Sequence, residues 1–135
     1  MRLIIVLMLQ IMFLLSVFSQ KKNLQISDFA NWNRIENRQI SNNGKFVAFE
    51  INKQKGDGFL IIYHVDMGKS DTVRHGSKPR FSVNSDYVVF NIRVPDDTLR
   101  KYKLAKTAKE KMPKEQFGVF NLKSGVLSTF DKVKS

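Results

Sequence analysis

Acyl-transfer chemistry needs a nucleophile, a base and a group that orients the base, and this sequence offers few residues for any of the three. Its only histidines are His64 and His75, and it has no cysteine. The serine of an α/β-hydrolase sits on the strand-to-helix turn of a G-x-S-x-G pentapeptide. The nearest match, "GKSDT" from Gly68 to Thr72, lacks the second glycine and reads as part of a hairpin turn. In that fold the histidine comes last in chain order, and nothing suitable precedes either histidine here. His64 falls in an expected strand and His75 beside a turn, so both read as structural or solvated.

Metal and phosphate chemistry find no better support. Two isolated histidines and scattered acids give no ligand spacing. Asp66 and Asp71 flank a turn and read as solvated turn residues, not as calcium ligands. No glycine-rich loop precedes a helix. The pair Asp96-Asp97 suits a helix start better than general acid–base work, because adjacent side chains rarely converge on one substrate atom. Without cysteine there is no disulfide, thiolate metal site, thiol nucleophile or lipid-attachment residue. The sequence nominates no catalytic, cofactor-binding or metal-binding residue and implies no cofactor.

The elements that would position any chemistry begin after an unusual N-terminus. Arg2 precedes an apolar run from Leu3 to Phe18, broken only by Gln10 and Ser16, and Ser19, Gln20, Lys21 and Lys22 follow. A basic start, an apolar centre and small residues near the end describe a secretory signal peptide over 1–19. Cleavage after Ser19 places Val17 and Ser19 at the two positions the peptidase inspects. The alternative is an uncleaved N-terminal membrane anchor, but the run is short of the roughly 20 residues that span a bilayer. The expectation is an exported chain, periplasmic or secreted, touching the membrane only transiently through its leader.

Beyond the leader the chain repeats itself. "QISNNGKFVAFEI" from Gln39 to Ile51 recurs as "RFSVNSDYVVFNI" from Arg80 to Ile92, in register at an offset of 41 residues. In "KFVAFEI" one strand face carries Phe46, Ala48 and Glu50, and the other Val47, Phe49 and Ile51. Asn42-Asn43-Gly44 before it is a turn signal, and Asp57-Gly58 after it signals a hairpin. "FLIIYHV", from Phe59 to Val65, is nearly continuous in apolar residues, as expected of a strand covered on both faces. A turn at Asp66-Met67-Gly68 leads to a short outer strand, "DTVRH". The second copy continues with "QFGVFNL", a turn at Lys123-Ser124-Gly125, and "VLSTF".

Each copy therefore reads as about four antiparallel strands in some 40 residues, counting short strands at Gln39–Ser41 and Arg80–Ser82. That is the period of β-propeller blades; a plain β-sandwich is the alternative. The expected fold is all-β: about two four-stranded blades of an incomplete propeller. Residues 20–38 form a lead-in, 39–79 the first blade and 80–135 the second. In the lead-in, Ser27 is a candidate helix N-cap, with Phe29, Trp32 and Ile35 at threefold spacing. Trp32 reads as an anchor against the blade.

The copies differ in one link. Asn52 to Gly58 is seven residues, whereas its counterpart, Arg93 to Glu115, is 23, an excess of 16. Pro95-Asp96-Asp97 can start a helix there, Leu99, Tyr102, Ala105 and Ala108 make a narrow apolar stripe, and Pro113 can end it. The insert carries eight Lys or Arg against four Asp or Glu. Over the whole chain, 135 residues with 23 basic and 12 acidic side chains give a net charge of +11. No nucleic-acid motif accompanies that charge, so no nucleic-acid partner is expected and a solvated face is the plainer reading.

"SNNGKFVAFEI" resembles the turn-and-strand phrase of TolB-like propeller blades. The longer run "DFANWNRIENRQISNNGKFVAFEINKQKGDG" is similar to the start of the mature region in secreted bacterial serine peptidases of the prolyl oligopeptidase family. The insert ending "KMPKEQFGVFNLKSG" is similar to that family's second blade, and the resemblance covers most of residues 28–130. It implies an N-terminal propeller that restricts peptide access to a C-terminal α/β-hydrolase domain. None of that family's catalytic positions falls in this chain, and Glu110 and Glu115 have no claim to the amine-binding role of the dipeptidyl peptidase glutamates. The chain stops at "FDKVKS", about two blades in, which implies a fragment inert by itself. A peptide substrate would be met only through the missing hydrolase domain. Exposed strand edges are expected to favour self-association. The alternative is an autonomous periplasmic module that docks an acidic partner through the basic insert.

Overall fold

The computed structural model describes residues 23–29 and 32–131; the expected signal peptide lies outside them. Alternation of large apolar residues makes Phe46–Lys53 a strand, and pairing builds a sheet around it. That sheet contains β1 (Asn33–Ile40), β2 (Phe46–Lys53), β3 (Phe59–His64) and β4 (Lys69–Arg74), in that order. The second contains β5 (Gly76–Phe81), β6 (Tyr87–Ile92), β7 (Gln116–Asn121) and β8 (Leu127–Phe130). Every neighbouring pair is antiparallel. Ser70, expected in a turn, therefore lies in β4.

One core lies between the sheets. The first contributes Ala48, Leu60, Ile62 and Val73, and the second Val88, Phe90, Phe120 and Leu122. Phe46, Phe81 and Ile92 pack at its margin. Burying a Leu, Ile, Val or Phe side chain contributes roughly 1.5–3 kcal/mol, so this seam is the main cohesive contact between the sheets. Gly118 lies opposite Phe90 in the β6–β7 register. It has to be glycine, because a Cβ there would run into the Phe90 ring.

The other faces are different. Val47, Phe49, Ile51, Phe59 and Ile61 of the first sheet are only half-buried, and Tyr63 is exposed. Of the two faces on which β3 is expected to be covered, the one carrying Leu60, Ile62 and His64 is buried among the described residues and the other is half-buried. Val89, Phe117 and Val119 of the second sheet are likewise half-buried, beside an exposed Tyr87.

Four local expectations also change. The first strand of each sheet is longer than the repeat suggested, because β1 starts at Asn33 and β5 at Gly76. Residues 33–38 are polar apart from Ile35, and it is pairing with β2 that makes them a strand. Only α1 (Ile26–Phe29) is helical in the lead-in. Ser27 lies inside it and not ahead of it, and the Gln25 N–H donates to the Asp28 carboxylate (2.9 Å). Trp32 rests edge-on against Phe29, with ring centroids 4.6 Å apart, and is 49% exposed. The Asp57-Gly58 link is a wider bend whose positive φ falls on Gly56.

The insert does carry a helix, α2 (Asp96–Leu104), starting directly after Pro95. It ends at Leu104, well before Pro113, and a 3-10 turn follows at Lys109–Lys111. Lys106 takes a left-handed φ of 48°. The stripe that would have continued the helix buries nothing, and a short helix without a packed face is marginal.

Candidate functional site at the junction of the two sheets

The strands and the crossover form two separate His–Asp pairs, His64 with Asp71 and His75 with Asp57. His64 and Asp71 share the inner face of the first sheet, and His64 Nε2 lies 2.8 Å from Asp71 Oδ2. A carboxylate only accepts, so Nε2 carries the hydrogen. Nδ1 is buried and has no partner among the described residues, and Phe46 meets the ring edge-on at 4.8 Å. Ser70 lies between Lys69 and Asp71, so the pleat turns it to the opposite face. Among the described residues no serine or threonine hydroxyl is hydrogen-bonded to this His–Asp pair.

His75 occupies the crossover between the sheets with a φ of 61°. Its N–H donates to the Gly58 carbonyl (3.0 Å), and its carbonyl accepts from the Arg93 N–H (2.9 Å). Its Nδ1 lies 3.4 Å from Asp57 Oδ1, which also accepts the Asp96 N–H (2.9 Å). His75 thus fastens a crossover. Asp66 lies 3.8 Å from Lys45, Glu115 accepts from Asn91 (3.3 Å), and Glu110 lies in the exposed 3-10 turn. Among the described residues no three His, Asp or Glu side chains converge on a point.

The residues that do converge were not nominated by the sequence. Glu50, on the core face of β2, is 2% exposed. Its Oε1 accepts from Asn37 Nδ2 and from the Lys78 backbone N–H, both at 2.6 Å. Its Oε2 accepts from Asn52 Nδ2 (2.9 Å) and Arg93 Nη2 (3.3 Å). Asn52 Nδ2 also donates to Glu36 Oε2 (2.8 Å), and Asn52 Oδ1 accepts from Arg93 Nη2 (2.8 Å). Burial pushes the Glu50 carboxyl up, but the bonds from Asn52, the Lys78 amide and Asn37, together with the Arg93 charge, outweigh it. Its pKa is held below the ordinary value.

Two matched irregularities build this hub. β1 bulges between Glu36 and Gln39, and β5 bulges between Ser77 and Arg80. Asn37 and Lys78 sit in these bulges with left-handed φ values of 48° and 53°. The bulge frees a backbone N–H from its own sheet, and Lys78 gives that donor to Glu50 across the seam.

The turns repeat just as closely. The Phe46 N–H donates to Ser41 Oγ and the Tyr87 N–H to Ser82 Oγ, both at 3.0 Å. Ser41 Oγ meets Asn43 Oδ1, and Ser82 Oγ meets Asn84 Oδ1, both at 2.7 Å. The two turns also touch, since Asn42 Nδ2 donates to the Val83 carbonyl (2.9 Å). The repeated phrase is therefore one hydrogen-bonded turn, one bulged strand and one inner strand, built twice.

No protein-family model matches the chain, and no curated protein matches it. Solved structures do. An acylaminoacyl peptidase in complex with Z-Gly-Gly-Phe-chloromethyl ketone aligns at TM-score 0.53 and 16% identity, over 76% of this chain and 14% of that one. Pyrococcus horikoshii acylaminoacyl peptidase aligns at 0.53 and 17%, over 75% and 14%. The β-propeller domain of the Trilobed protease from Pyrococcus furiosus, which has an open velcro topology, aligns at 0.51 and 14%, over 78% and 31%. The chain spans about one seventh of the two peptidases and under a third of the third structure. At such identities the likeness establishes fold, and the two sheets are two blades of a β-propeller.

Proposed function

We propose that these residues are the leading blades of the propeller of an exported serine peptidase of the prolyl oligopeptidase family. In that role they help restrict access of long or folded peptides to a hydrolase domain, and they do no chemistry themselves. The observation that carries the reading is the alignment of 75–78% of this chain with two acylaminoacyl peptidases and with the β-propeller domain of a protease. The uncovered apolar faces on either side of the two-blade unit agree with it, since blades stack on blades. Residues 1–19 act as the signal peptide that exports the protein.

The experiment is to read the gene beyond codon 135. Further repeats of about 40 residues and then a G-x-S-x-G pentapeptide are expected. Several hundred codons containing neither would overturn the reading.

A further inference from the structure

The basic insert is the part of the chain that the blade architecture leaves unused. α2 buries no residue, and its visible tether is the Asp96 N–H to Asp57. Leu104, at its end, is 74% exposed, and Tyr102 is 38% exposed. Isolated helices shorter than about 12–15 residues are marginal in water, so this one gains from a covering surface. Arg100 and the six lysines from Lys101 to Lys114 make no ion pair with any described residue. A surface complementary to these charges is anionic.

The cation type separates two kinds of anionic surface. Specific protein interfaces are enriched in arginine and depleted in lysine, because the guanidinium fork matches a fixed carboxylate while an ammonium is a mobile point charge. Six of the seven free cations are lysines on flexible stems, spread over a helix, a 3-10 turn and a loop. That array suits a fluid, smeared charge better than a sculpted site.

We propose that the insert adsorbs the protein onto the anionic headgroups of a lipid bilayer, with Leu104 presented to the headgroup region. This goes beyond the transient contact of a signal peptide and does not depend on the peptidase reading.

The test is partitioning of the full chain onto phosphatidylcholine vesicles and onto vesicles of equal parts phosphatidylcholine and phosphatidylglycerol. The apolar run Leu3–Phe18 enters both, so the readout is the ratio of the two partition coefficients. Changing Lys101, Lys103, Lys106 and Lys109 together to Gln is expected to lower that ratio at least ~10-fold. Changing the exposed, unpaired Lys53, Lys55, Lys69 and Arg74 to Gln removes the same charge from the first blade and is expected to leave the ratio within about twofold. Equal loss in both variants would reduce the effect to net charge and overturn the proposal. So would a wild-type ratio near one. Tighter binding to soluble polyglutamate than to the anionic vesicles, abolished by the insert variant, would overturn it in favour of an acidic protein surface.

Discussion

The Lys78 N–H in the second blade donates a 2.6 Å hydrogen bond to the Glu50 carboxylate in the first. Glu50 is nearly inaccessible to solvent, and of its four donors two belong to each blade. Removing the carboxylate strands those donors. Glu50→Ala is expected to lower the free energy of unfolding by about 3 kcal/mol. Glu50→Gln keeps an acceptor and is expected to cost about 1–2 kcal/mol. Urea denaturation measures both, and an alanine variant as stable as wild type would remove the hub from the list of stabilising features.

The same carboxylate sets an acid limb. Its folded pKa lies below the ordinary 4.5, so its contribution is present above that value and is lost as pH falls through the folded pKa. Melting temperature is expected to drop below pH 4.5 more steeply in wild type than in Glu50→Gln. Parallel pH profiles for the two proteins would contradict this.

Gly118 is occupied space. A Cβ there would stand 2.9 Å from Phe90 Cζ, with another ring atom closer still. Gly118→Ala is expected to cost about 1–3 kcal/mol by overpacking. In a Phe90→Leu background the same change should cost less, and a double-mutant cycle reads the coupling. Full additivity would place the strain elsewhere.

Lys78 holds its bulge with a left-handed backbone. Lys78→Gly is expected to leave stability unchanged or raise it by up to ~1 kcal/mol, because the donor to Glu50 is a backbone group and survives. Lys78→Val should lose about 1–2 kcal/mol. Thermal melts of the pair give the sign, and a more stable valine variant would refute the strain argument.

At the N-terminus, mass spectrometry of the exported protein is expected to find a chain beginning at Gln20. Recovery of Met1 in the membrane fraction would favour the anchor instead.

Much of the architecture was legible because the repeat is a spacing, and spacing survives substitution. The offset between Ser41 and Ser82 reports a turn whose hydroxyl accepts the same backbone N–H in both copies. β1 was less legible, since its exposed face leaves no apolar alternation between Asn33 and Arg38. The threefold spacing of Phe29, Trp32 and Ile35 suggested a helix, but Ile35 pairs with Ile51 as a strand residue. Glu50 carried a faint signal as a charged residue in phase with Phe46 and Ala48. Which of the two strand faces was the core depended on the second sheet, and sequence alternation alone is symmetric between them. The bulge at Lys78 left no signal, because lysine rarely takes a left-handed backbone, and a lone Asn37 among polar neighbours left only a weak one.

The hub also has a direction in time. Strands of the first blade end at Arg74, so during synthesis they leave the ribosome ahead of Lys78 and Arg93. Domains tend to fold as units as they emerge. Here the first sheet must keep Glu50 in water until the following one supplies half of its donors. The unit that can close its seam is therefore the pair of blades, and a chain broken off between Arg74 and Arg93 lacks the Arg93 donor and leaves the Glu50 carboxylate facing an unfinished seam.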